Sequence, residues 1–243
     1  MHSESKNLIT GVGSGLGKYL YETLPNSLGF TRTNCNEVLS SLQKRGVDTI
    51  IHCAYNKNNT DLCGLYEDNL KLTERLCRIP HKHFIYISTI DVYSSQITPY
   101  NLLKKMSEEI VLRDCNNPLI LRLSALLGEQ MKKNNILKVV DDANPSLSLT
   151  EDSTYSLISY SHVKKVVYES IHKGLIGKYD VVAKSLIDMR NIVKICEKTQ
   201  DVSYGKYQYL TQELQGGIIE RVLGLNHTHS IDVLRGFMRE RNG

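Results

Sequence analysis

The sequence contains neither a C-x-x-C pair nor a cluster of cysteine with histidine, although it has six cysteines. This absence argues against a zinc site and against a disulfide framework. Cys53 lies in a strand-like apolar run and Cys77 in a helix-like one. We therefore expect reduced thiols in a cytoplasmic protein and no bound metal. The six positions are Cys35, Cys53, Cys63, Cys77, Cys115 and Cys196.

Long apolar runs, repeats and low-complexity segments are also lacking. Residues 1–6 contain no apolar core of a signal peptide, and no run approaches the length of a membrane span, so no membrane contact is expected. The 30 basic and 26 acidic residues are dispersed, and the net charge of +4 does not indicate nucleic-acid binding. Mild positive charge suits a small-molecule substrate that carries phosphates. The 243 residues suffice for one large domain, with or without a small lobe.

A glycine-rich loop follows the first predicted strand, Asn7–Thr10, and precedes an amphipathic segment that ends near Thr23. Glycines let the backbone turn tightly and approach a pyrophosphate, and the following helix start offers free N–H groups. A glycine-rich turn without a ligand is the alternative. The candidate cofactor-binding residues here are Gly11, Ser14, Gly15, Leu16 and Gly17.

The residues after the second predicted strand, Ser27–Thr31, bear on the choice of dinucleotide. In dinucleotide-binding folds an acidic residue here binds the ribose 2′-OH of NAD, whereas a basic residue pairs with the 2′-phosphate of NADP. This chain has Arg32 and no acid before Glu37. The pattern favours NADP and leaves NAD open; an exposed loop arginine is the alternative.

The third predicted strand, Asp48–Ala54, ends in two further candidate cofactor contacts, Cys53 and Ala54. A small residue is needed where the backbone passes close to a cofactor. His52, just before them, is predicted to be packed or hydrogen-bonded locally.

The run Phe84–Ile87 is β-branched and aromatic, which indicates a buried central strand, and it is followed by Ser88 and Thr89. Tyr100 and Lys104 open the next predicted helix and share one face of it. A cation one turn from a phenol lowers the pKa of the tyrosine, and a neighbouring hydroxyl can bind a carbonyl oxygen. The set suits proton transfer at a carbonyl or alcohol while hydride moves to or from a cofactor. A half-buried tyrosine beside a solvated lysine is the alternative.

Strands and helices alternate to about residue 123, which predicts an α/β fold of Rossmann type with a doubly wound parallel sheet. We expect residues 1–123, with parts of 160–185, to form the dinucleotide-binding domain. Residues 124–159 and 186–243 would form a smaller substrate lobe, with a helix over Leu186–Lys198. Arg190 and Arg235 are candidate contacts for a diphosphate, or else solvated helix residues.

Together these motifs resemble the short-chain dehydrogenase/reductase superfamily, especially its extended branch of nucleotide-sugar epimerases and reductases. The resemblance spans residues 7–200 and, weakly, the tail. It rests on Thr10-Gly11-x-x-x-Gly15-x-Gly17, the strand end His52-Cys53-Ala54, Asn69, Ser88-Thr89-x-x-Val92-Tyr93, Tyr100-x-x-x-Lys104, and Leu121-Arg122-x-Ser124 before Gly128.

The resemblance implies a role for each matching residue. Thr89 takes the place of the family's active hydroxyl, and Ser88 that of a serine in the cofactor floor. Tyr100 matches the acid/base, and Lys104 the residue that binds the nicotinamide ribose and tunes the tyrosine. Asp91 stands where reductases that also epimerise carry cysteine, and we take it as a candidate substrate contact.

The sequence departs from the pattern of the extended branch at several positions. The glycine spacing is that of the other branch, since extended members place a glycine at Ser14. Residues 32–47 are too few for the extra strand–helix unit of larger members. Members of the dTDP-4-dehydrorhamnose reductase type are similarly short here. Nucleotide-sugar dehydratases carry Thr-Asp-Glu at the active hydroxyl. This chain has Thr89-Ile90-Asp91 instead, so it lacks the general acid of the dehydratases.

The resemblance therefore implies an NAD(P)-dependent enzyme that reduces the 4-keto group of a nucleotide-activated sugar, with Tyr100 as the acid. An NAD-dependent nucleotide-sugar 4-epimerase uses the same residues and remains an alternative. A non-catalytic dinucleotide-binding sensor or scaffold is a further one. Relatives often form homodimers through the Tyr/Lys helix and the helix that carries Asn69, although the small size also allows a monomer.

Overall fold

A computed structural model describes residues 6–31, 33–56, 61–198, 202–212, 214 and 216–242. The chain divides into two compact units. Unit 1 comprises residues 1–123 and 164–179, and unit 2 comprises residues 124–163 and 180–243. The predicted division of labour between a dinucleotide-binding and a substrate-binding part stays a prediction.

The central sheet has six strands in the order β2-β1-β3-β4-β5-β9. The pairs among its first five strands are all parallel. The predicted α/β class with a doubly wound parallel sheet is confirmed. The strands are β1 (Asn7–Thr10), β2 (Ser27–Phe30), β3 (Val47–His52), β4 (His81–Thr89), β5 (Pro118–Leu123) and β9 (Gly177–Val181).

The sheet forms because its central strands are apolar on both faces. Ile9 pairs with Ile51, Ile51 with Ile85, and Ile85 with Leu119, and all four side chains are fully buried. A parallel sheet needs such continuous apolar runs because helices cover both of its faces.

The order of the strands also locates the binding crevice. β1 lies between β2 and β3, so the chain reverses its winding direction beside β1, and open α/β sheets bind ligands outside the carboxyl ends of the strands at such a point. The described residues between β2 and β3 hold a single helix and no further strand, as the small number of residues in 32–47 predicted.

Helices connect the strands of unit 1. The apolar residues of Leu62 to Leu76 have helical spacing, which predicts one helix, and the structure places a turn of π-helix within it, between α3 and α4. The helices are α1 (Gly15–Thr23), α2 (Cys35–Arg45), α3 (Leu62–Tyr66), the π-helical turn Glu67–Lys71, α4 (Leu72–Cys77), α5 (Pro99–Asp114) and α7 (Tyr160–Lys173), whose first four residues belong to unit 2.

Unit 2 is built from short elements around its own apolar core. β6 pairs with β8 in parallel, and β7 pairs with β10 antiparallel. Its elements are β6 (Ala125–Leu127), α6 (Asn135–Asp141), β7 (Thr154–Tyr155), β8 (Leu157–Ser159), β10 (Ile187–Asp188), α8 (Met189–Ile195), α9 (Ile218–Leu223) and α10 (Ser230–Asn242). Among the described residues, none of the helices combines the length and the apolar character needed to cross a membrane.

The predicted helix Leu186–Lys198 is wrong at both ends. Ile187 and Asp188 form β10, and α8 begins only after them because the Asp188 side chain accepts a hydrogen bond from the backbone N–H of Asn191 (2.7 Å). An aspartate at this position caps a helix start and prevents earlier helical turns.

Two glycines of the loop offer a matched test of the packing between β1 and α1. A Cβ on Gly17 would lie 2.8 Å from the Thr10 carbonyl oxygen and closer still to that of Gly11, whereas a Cβ on Gly13 would meet nothing within 4 Å. We expect Gly17→Ala to lower the free energy of unfolding by about 2–4 kcal/mol, since rigid backbone must move, and Gly13→Ala to change it by less than about 0.5 kcal/mol. Urea unfolding of the apoprotein measures both; equal losses would contradict the described packing.

Candidate active site

The glycine loop leaves the start of α1 open for an anion. Ser14 is the N-cap residue, and its side chain makes no capping hydrogen bond. Gly11 (φ 76°) and Gly15 (φ 59°) adopt left-handed backbone conformations that favour glycine. Because the first N–H groups of the helix lack a side-chain cap, they can donate to a phosphate. The role of this loop in binding the pyrophosphate of a dinucleotide stays a prediction.

Thr10 ties the loop to the end of β3. Its Oγ1 accepts hydrogen bonds from the backbone N–H groups of Cys53 (3.1 Å) and Ala54 (3.0 Å) and lies 2.8 Å from His52 Nδ1. A Cβ on Gly11 would meet the Ala54 backbone nitrogen at 3.0 Å. The two predicted cofactor-binding segments are therefore in contact.

Hydrogen bonds between buried side chains continue from Thr10 through His52 to Thr73 in α4. His52 Nε2 lies 3.0 Å from Thr73 Oγ1, which donates to the Asn69 carbonyl oxygen (2.7 Å). Burial lowers the pKa of His52 to about 3, so the ring is neutral. A neutral ring accepts from Thr10 at Nδ1 and donates to Thr73 from Nε2. The prediction that His52 is hydrogen-bonded locally is confirmed.

We expect Thr10→Val to lower the free energy of unfolding by about 2 kcal/mol or more, because it leaves two backbone N–H groups and a ring nitrogen of His52 without a buried partner. Thr10→Ser keeps the hydroxyl and should recover most of that loss. Urea denaturation of the three proteins provides the measurement. If valine were no more destabilising than serine, the hydrogen bonds of the Thr10 hydroxyl would not be its main contribution to stability.

Asn69 holds the segment that follows β3. Its side chain accepts from the Asn56 backbone N–H (2.9 Å) and donates to the Asn56 carbonyl (3.1 Å) and the Leu65 carbonyl (2.8 Å). Asn69 lies within the π-helical turn, a departure from regular helix that is frequent at functional sites. This contact positions Tyr55, the residue between Ala54 and Asn56.

Tyr55 links the glycine loop to the Tyr/Lys pair. Its ring makes an edge-to-face contact with the ring of Tyr100, with centroids 4.9 Å apart, and lies 5.4 Å from Lys104 Nζ. All of these residues belong to unit 1. The loop and the pair, separated widely in the sequence, thus form one site at the carboxyl ends of the strands.

The start of α5 is defined by its cap. Thr98 Oγ1 accepts from the Asn101 N–H (3.2 Å), and the Asn101 side chain accepts from the Thr98 N–H (2.8 Å). Pro99 occupies the first turn, where its missing N–H costs nothing. Tyr100 is therefore held in the first turn and Lys104 one turn further on.

Thr89 and Tyr100 meet at the end of β4. The Tyr100 side chain is hydrogen-bonded to that of Thr89, which also accepts from the Asp91 N–H (3.2 Å). Tyr100 keeps 38% of its surface exposed, whereas Thr89 is buried. A small molecule can therefore reach the phenol while Thr89 orients it.

The expectation that Lys104 lowers the pKa of Tyr100 is wrong for this structure. Burial raises the pKa of Tyr100 to about 12, and the negative charge of Asp91 adds to this rise, while the hydrogen bond to Thr89 opposes it. Lys104 is not among the groups that shift the pKa of Tyr100. Its Nζ donates to the Ile87 carbonyl oxygen (2.7 Å). At neutral pH the phenol carries its proton.

Lys104 lies in an aromatic environment and is only 4% exposed. Its Nζ lies 4.9 Å from the ring centre of Tyr86 and 5.4 Å from that of Tyr55. Burial lowers the pKa of Lys104 to about 8, and the negative charge of Glu108 opposes this shift. Cys53 would also raise the pKa of Lys104, but only as a thiolate. Because burial raises the pKa of the Cys53 thiol to about 12, that thiol is neutral at pH 7. Glu108 is therefore the charged neighbour that acts on Lys104 at neutral pH.

Glu108 is fully buried and firmly paired. Its carboxylate accepts from Ser88 Oγ (2.5 Å), from Arg122 Nε (3.0 Å) and from Arg122 Nη2 (2.5 Å). Arg122 also donates to the Tyr93 hydroxyl (2.5 Å). The Ser88 hydroxyl is thus engaged by Glu108; its role in a cofactor floor stays a prediction.

Three predicted site residues remain: Arg32, Arg190 and Asp91. Arg32 lies outside the described residues. Arg190, in unit 2, is exposed and pairs with Glu151 (2.9 Å), so its role as a diphosphate contact stays a prediction. Asp91 lies in the 3₁₀ turn after Thr89, beside Tyr100.

Sequence reasoning missed Tyr55, Tyr86, Glu108 and Arg122 as parts of the site. Glu108 follows Lys104 at helical spacing, and Arg122 interrupts an apolar strand. Both were readable signals of a buried ion pair. Within the part of the chain that the structure describes, no three His, Cys, Asp or Glu side chains are placed to hold a metal ion.

Comparisons with known proteins now bear on this site. No protein-family model matches the sequence, and no curated protein resembles it in sequence. A search of solved structures finds a dTDP-4-dehydrorhamnose reductase from Clostridium acetobutylicum (TM-score 0.78, 15% identity, 98% of this chain and 100% of that one covered). The chain has the fold of nucleotide-sugar enzymes.

Two further structures agree. The dTDP-4-dehydrorhamnose reductase from Bacillus anthracis, solved with NADP, gives a TM-score of 0.76 at 20% identity, covering 98% of this chain and 100% of that one. The UDP-glucuronic acid 4-epimerase from Bacillus cereus, solved with UDP-glucuronic acid and NAD, gives 0.77 at 16%, covering 97% and 99%. Both enzyme types named by the sequence motifs share this fold.

Proposed function

We propose that the protein is an NAD(P)-dependent reductase of the short-chain dehydrogenase/reductase type, acting on a 4-keto group of a nucleotide-activated sugar. The observation that carries the proposal is the contact series from the glycine loop through Ala54 and Tyr55 to Tyr100 and Lys104. A dinucleotide site and an acid/base pair are thereby next to each other. The shared fold with reductases and epimerases of nucleotide sugars supports the substrate class.

The chain's own residues fit a dinucleotide. The open N-terminus of α1 and the loop from Gly11 to Gly17 would hold the pyrophosphate, and Cys53 and Ala54 would lie along it. Lys104 would donate to the nicotinamide ribose. When bound, the reduced cofactor supplies the hydride.

Protonated Tyr100 suits the direction of reduction. Its phenol would donate a proton to the carbonyl oxygen as hydride reaches the carbon, and Thr89 would hydrogen-bond the same oxygen. Because the pKa of Tyr100 is raised to about 12, the phenol is a proton donor at neutral pH and not a base.

The 4-epimerase remains the second candidate, because an NAD-containing 4-epimerase shares the fold with this chain. Epimerases retain their cofactor, so nicotinamide absorbance in the purified protein would favour that function. A sensor or scaffold that binds dinucleotide without turnover is the third candidate. The preserved contact between Thr89 and Tyr100 argues against it.

The proposal extends to the partner and the location of the protein. We propose a cytoplasmic protein, in keeping with its free cysteines, whose partner is a small molecule rather than nucleic acid or a membrane. A homodimer formed through α5 and the helix that carries Asn69 is proposed from the family resemblance. Light scattering of the purified protein measures the oligomeric state.

The decisive assay uses NADPH, NADH and a set of dTDP- and UDP-linked 4-keto hexoses. We expect loss of nicotinamide absorbance with at least one of these ketones and formation of the 4-hydroxy sugar, detected by NMR. Interconversion of 4-hydroxy epimers without added cofactor would establish the epimerase instead. Cofactor binding without turnover of any ketone or sugar epimer would establish the sensor.

A further inference from the structure

Lys104 is more enclosed than its proposed contact with a cofactor allows. The residue is only 4% exposed, yet the proposed reaction requires its ammonium group to donate to a nicotinamide ribose. An ammonium group has three N–H donors, and one of them donates to the Ile87 carbonyl oxygen, 2.7 Å from Nζ. The ribose must therefore reach another side of the ammonium group.

Two aromatic rings cover that group. Lys104 Nζ lies over the ring of Tyr86, 4.9 Å from its centre, and over the ring of Tyr55, 5.4 Å from its centre. The faces of aromatic rings attract a cation at such distances, so both contacts favour the enclosed position of Nζ. For a ribose hydroxyl to take the place of a ring, one of the two rings has to move.

The ring of Tyr86 is fixed. Tyr86 is only 2% exposed and belongs to β4, where it is paired with His52 of β3 and Ile120 of β5. Its ring lies against that of His52, with centroids 5.4 Å apart. A side chain packed in a central strand has no space to turn into, because protein interiors are close-packed.

The ring of Tyr55 is the one that can turn. Tyr55 follows the end of β3, outside any helix or strand, and it is only partly buried. The side chain of Asn69 holds the backbone of the next residue, Asn56, so Tyr55 can change its rotamer while the chain stays in place. The Tyr55 ring also packs edge to face on Tyr100, with centroids 4.9 Å apart. Its rotation would therefore open both Lys104 and Tyr100 to a ligand.

We propose that Tyr55 is a gate for the dinucleotide: its ring covers Lys104 in the free protein and turns away when the nicotinamide ribose binds. This inference rests on the proposed function, since it takes a dinucleotide as the ligand. A ribose hydroxyl then replaces the ring as a partner of the ammonium group. Because only the open rotamer binds the ribose, the closed rotamer lowers the apparent affinity in proportion to its population.

The first test needs no cofactor. The free protein is treated with limiting acetic anhydride at about pH 8, and mass spectrometry compares acetylation of Lys104 with that of Lys105, its exposed neighbour on α5. We expect Tyr55→Ala to raise the ratio of Lys104 to Lys105 acetylation by about fivefold or more, because it removes the ring. Tyr55→Phe keeps the ring and should leave the ratio as in the wild type. Equal ratios in all three proteins would overturn the proposal.

Two features keep this result specific to the ring. The pKa of Lys104 is about 8, so about half of the amine is already neutral at that pH, and a further fall of the pKa could raise its reactivity only about twofold. Cys77 is buried in the core of unit 1 and should resist alkylation in all three proteins, which shows that they are folded.

The second test measures binding of NADPH and NADH, with 2′,5′-ADP and ADP as the matching halves that lack the nicotinamide ribose. Tyr55→Ala should bind the preferred dinucleotide about three- to tenfold more tightly than the wild type, with unchanged affinity for the matching half. Tyr55→Phe should follow the wild type. Weaker or equal dinucleotide binding by the alanine variant would overturn the gate while leaving the proposed function intact. Failure of every protein to bind either dinucleotide would overturn the proposed function and the gate together.

Discussion

Tyr100→Phe should lower kcat by about 10²–10⁴-fold while leaving the affinity for dinucleotide nearly unchanged. The substitution removes only the hydroxyl that would protonate the carbonyl oxygen. The ring keeps its edge-to-face packing on Tyr55, whose centroid lies 4.9 Å away, so the site should retain its shape. Steady-state kinetics and cofactor titration of the same preparation measure the two effects separately.

Tyr207→Phe is the matched control for this experiment. Tyr207 lies in unit 2 and is 75% exposed, so loss of its hydroxyl should leave both kcat and cofactor affinity unaltered. Full activity of Tyr100→Phe would contradict the assignment of Tyr100 as the acid. A parallel loss of cofactor affinity would show that the phenol acts in binding instead.

Lys104→Met should combine a large loss of activity with a gain of stability. Removal of the ammonium group abolishes the donor proposed for the ribose, and we expect kcat/KM to fall by about 10²-fold or more. At the same time a cation that is only 4% exposed disappears, while Glu108 keeps its pairing with Arg122. The free energy of unfolding at pH 7 should rise by on the order of 1 kcal/mol.

Lys104 loses its proton at a lower pH in the folded chain than in the unfolded chain, so stability depends on pH. The pKa of Lys104 is about 8 in the folded chain and 10.5 as the reference value, so the unfolded chain binds more protons between these pH values. Wild-type stability should therefore gain a contribution from this group as pH rises from about 8 to 10.5, and the methionine variant should lack it. Wild-type activity should decline above about pH 8 as the ammonium loses its proton. Chemical denaturation across this range checks the stability; a variant less stable than wild type at pH 7 would contradict the argument.

The sequence was most informative where local patterns determine the structure. The strand Asn7–Thr10 was predicted with the observed bounds, because it is a continuous apolar run that ends at turn residues. The helix predicted to open at Tyr100 begins one residue earlier, at Pro99. The two halves of the site follow from these elements, since parallel strands end at one edge of the sheet.

The parts that escaped prediction depend on contacts between distant residues. The interaction of Glu108 with Ser88 and Arg122 joins α5 to two strands, and periodicity does not encode such a pairing. Tyr55 is held by its neighbour Asn56, whose backbone is hydrogen-bonded to the side chain of Asn69, 13 residues further along the chain. The direction of the pKa shift of Tyr100 was mispredicted for the same reason, because burial and Asp91 act through three-dimensional structure.

The proposed dinucleotide site is tested most directly by titrating NADPH and NADH into the purified protein and following nicotinamide fluorescence. We expect saturable binding of one dinucleotide per chain, tighter for NADPH if Arg32 contacts the 2′-phosphate. Gly17→Ala, which disturbs the loop, should weaken that binding, whereas Tyr207→Phe should not. Failure of both dinucleotides to bind a folded protein would contradict the assignment of the glycine loop and, with it, the proposed function.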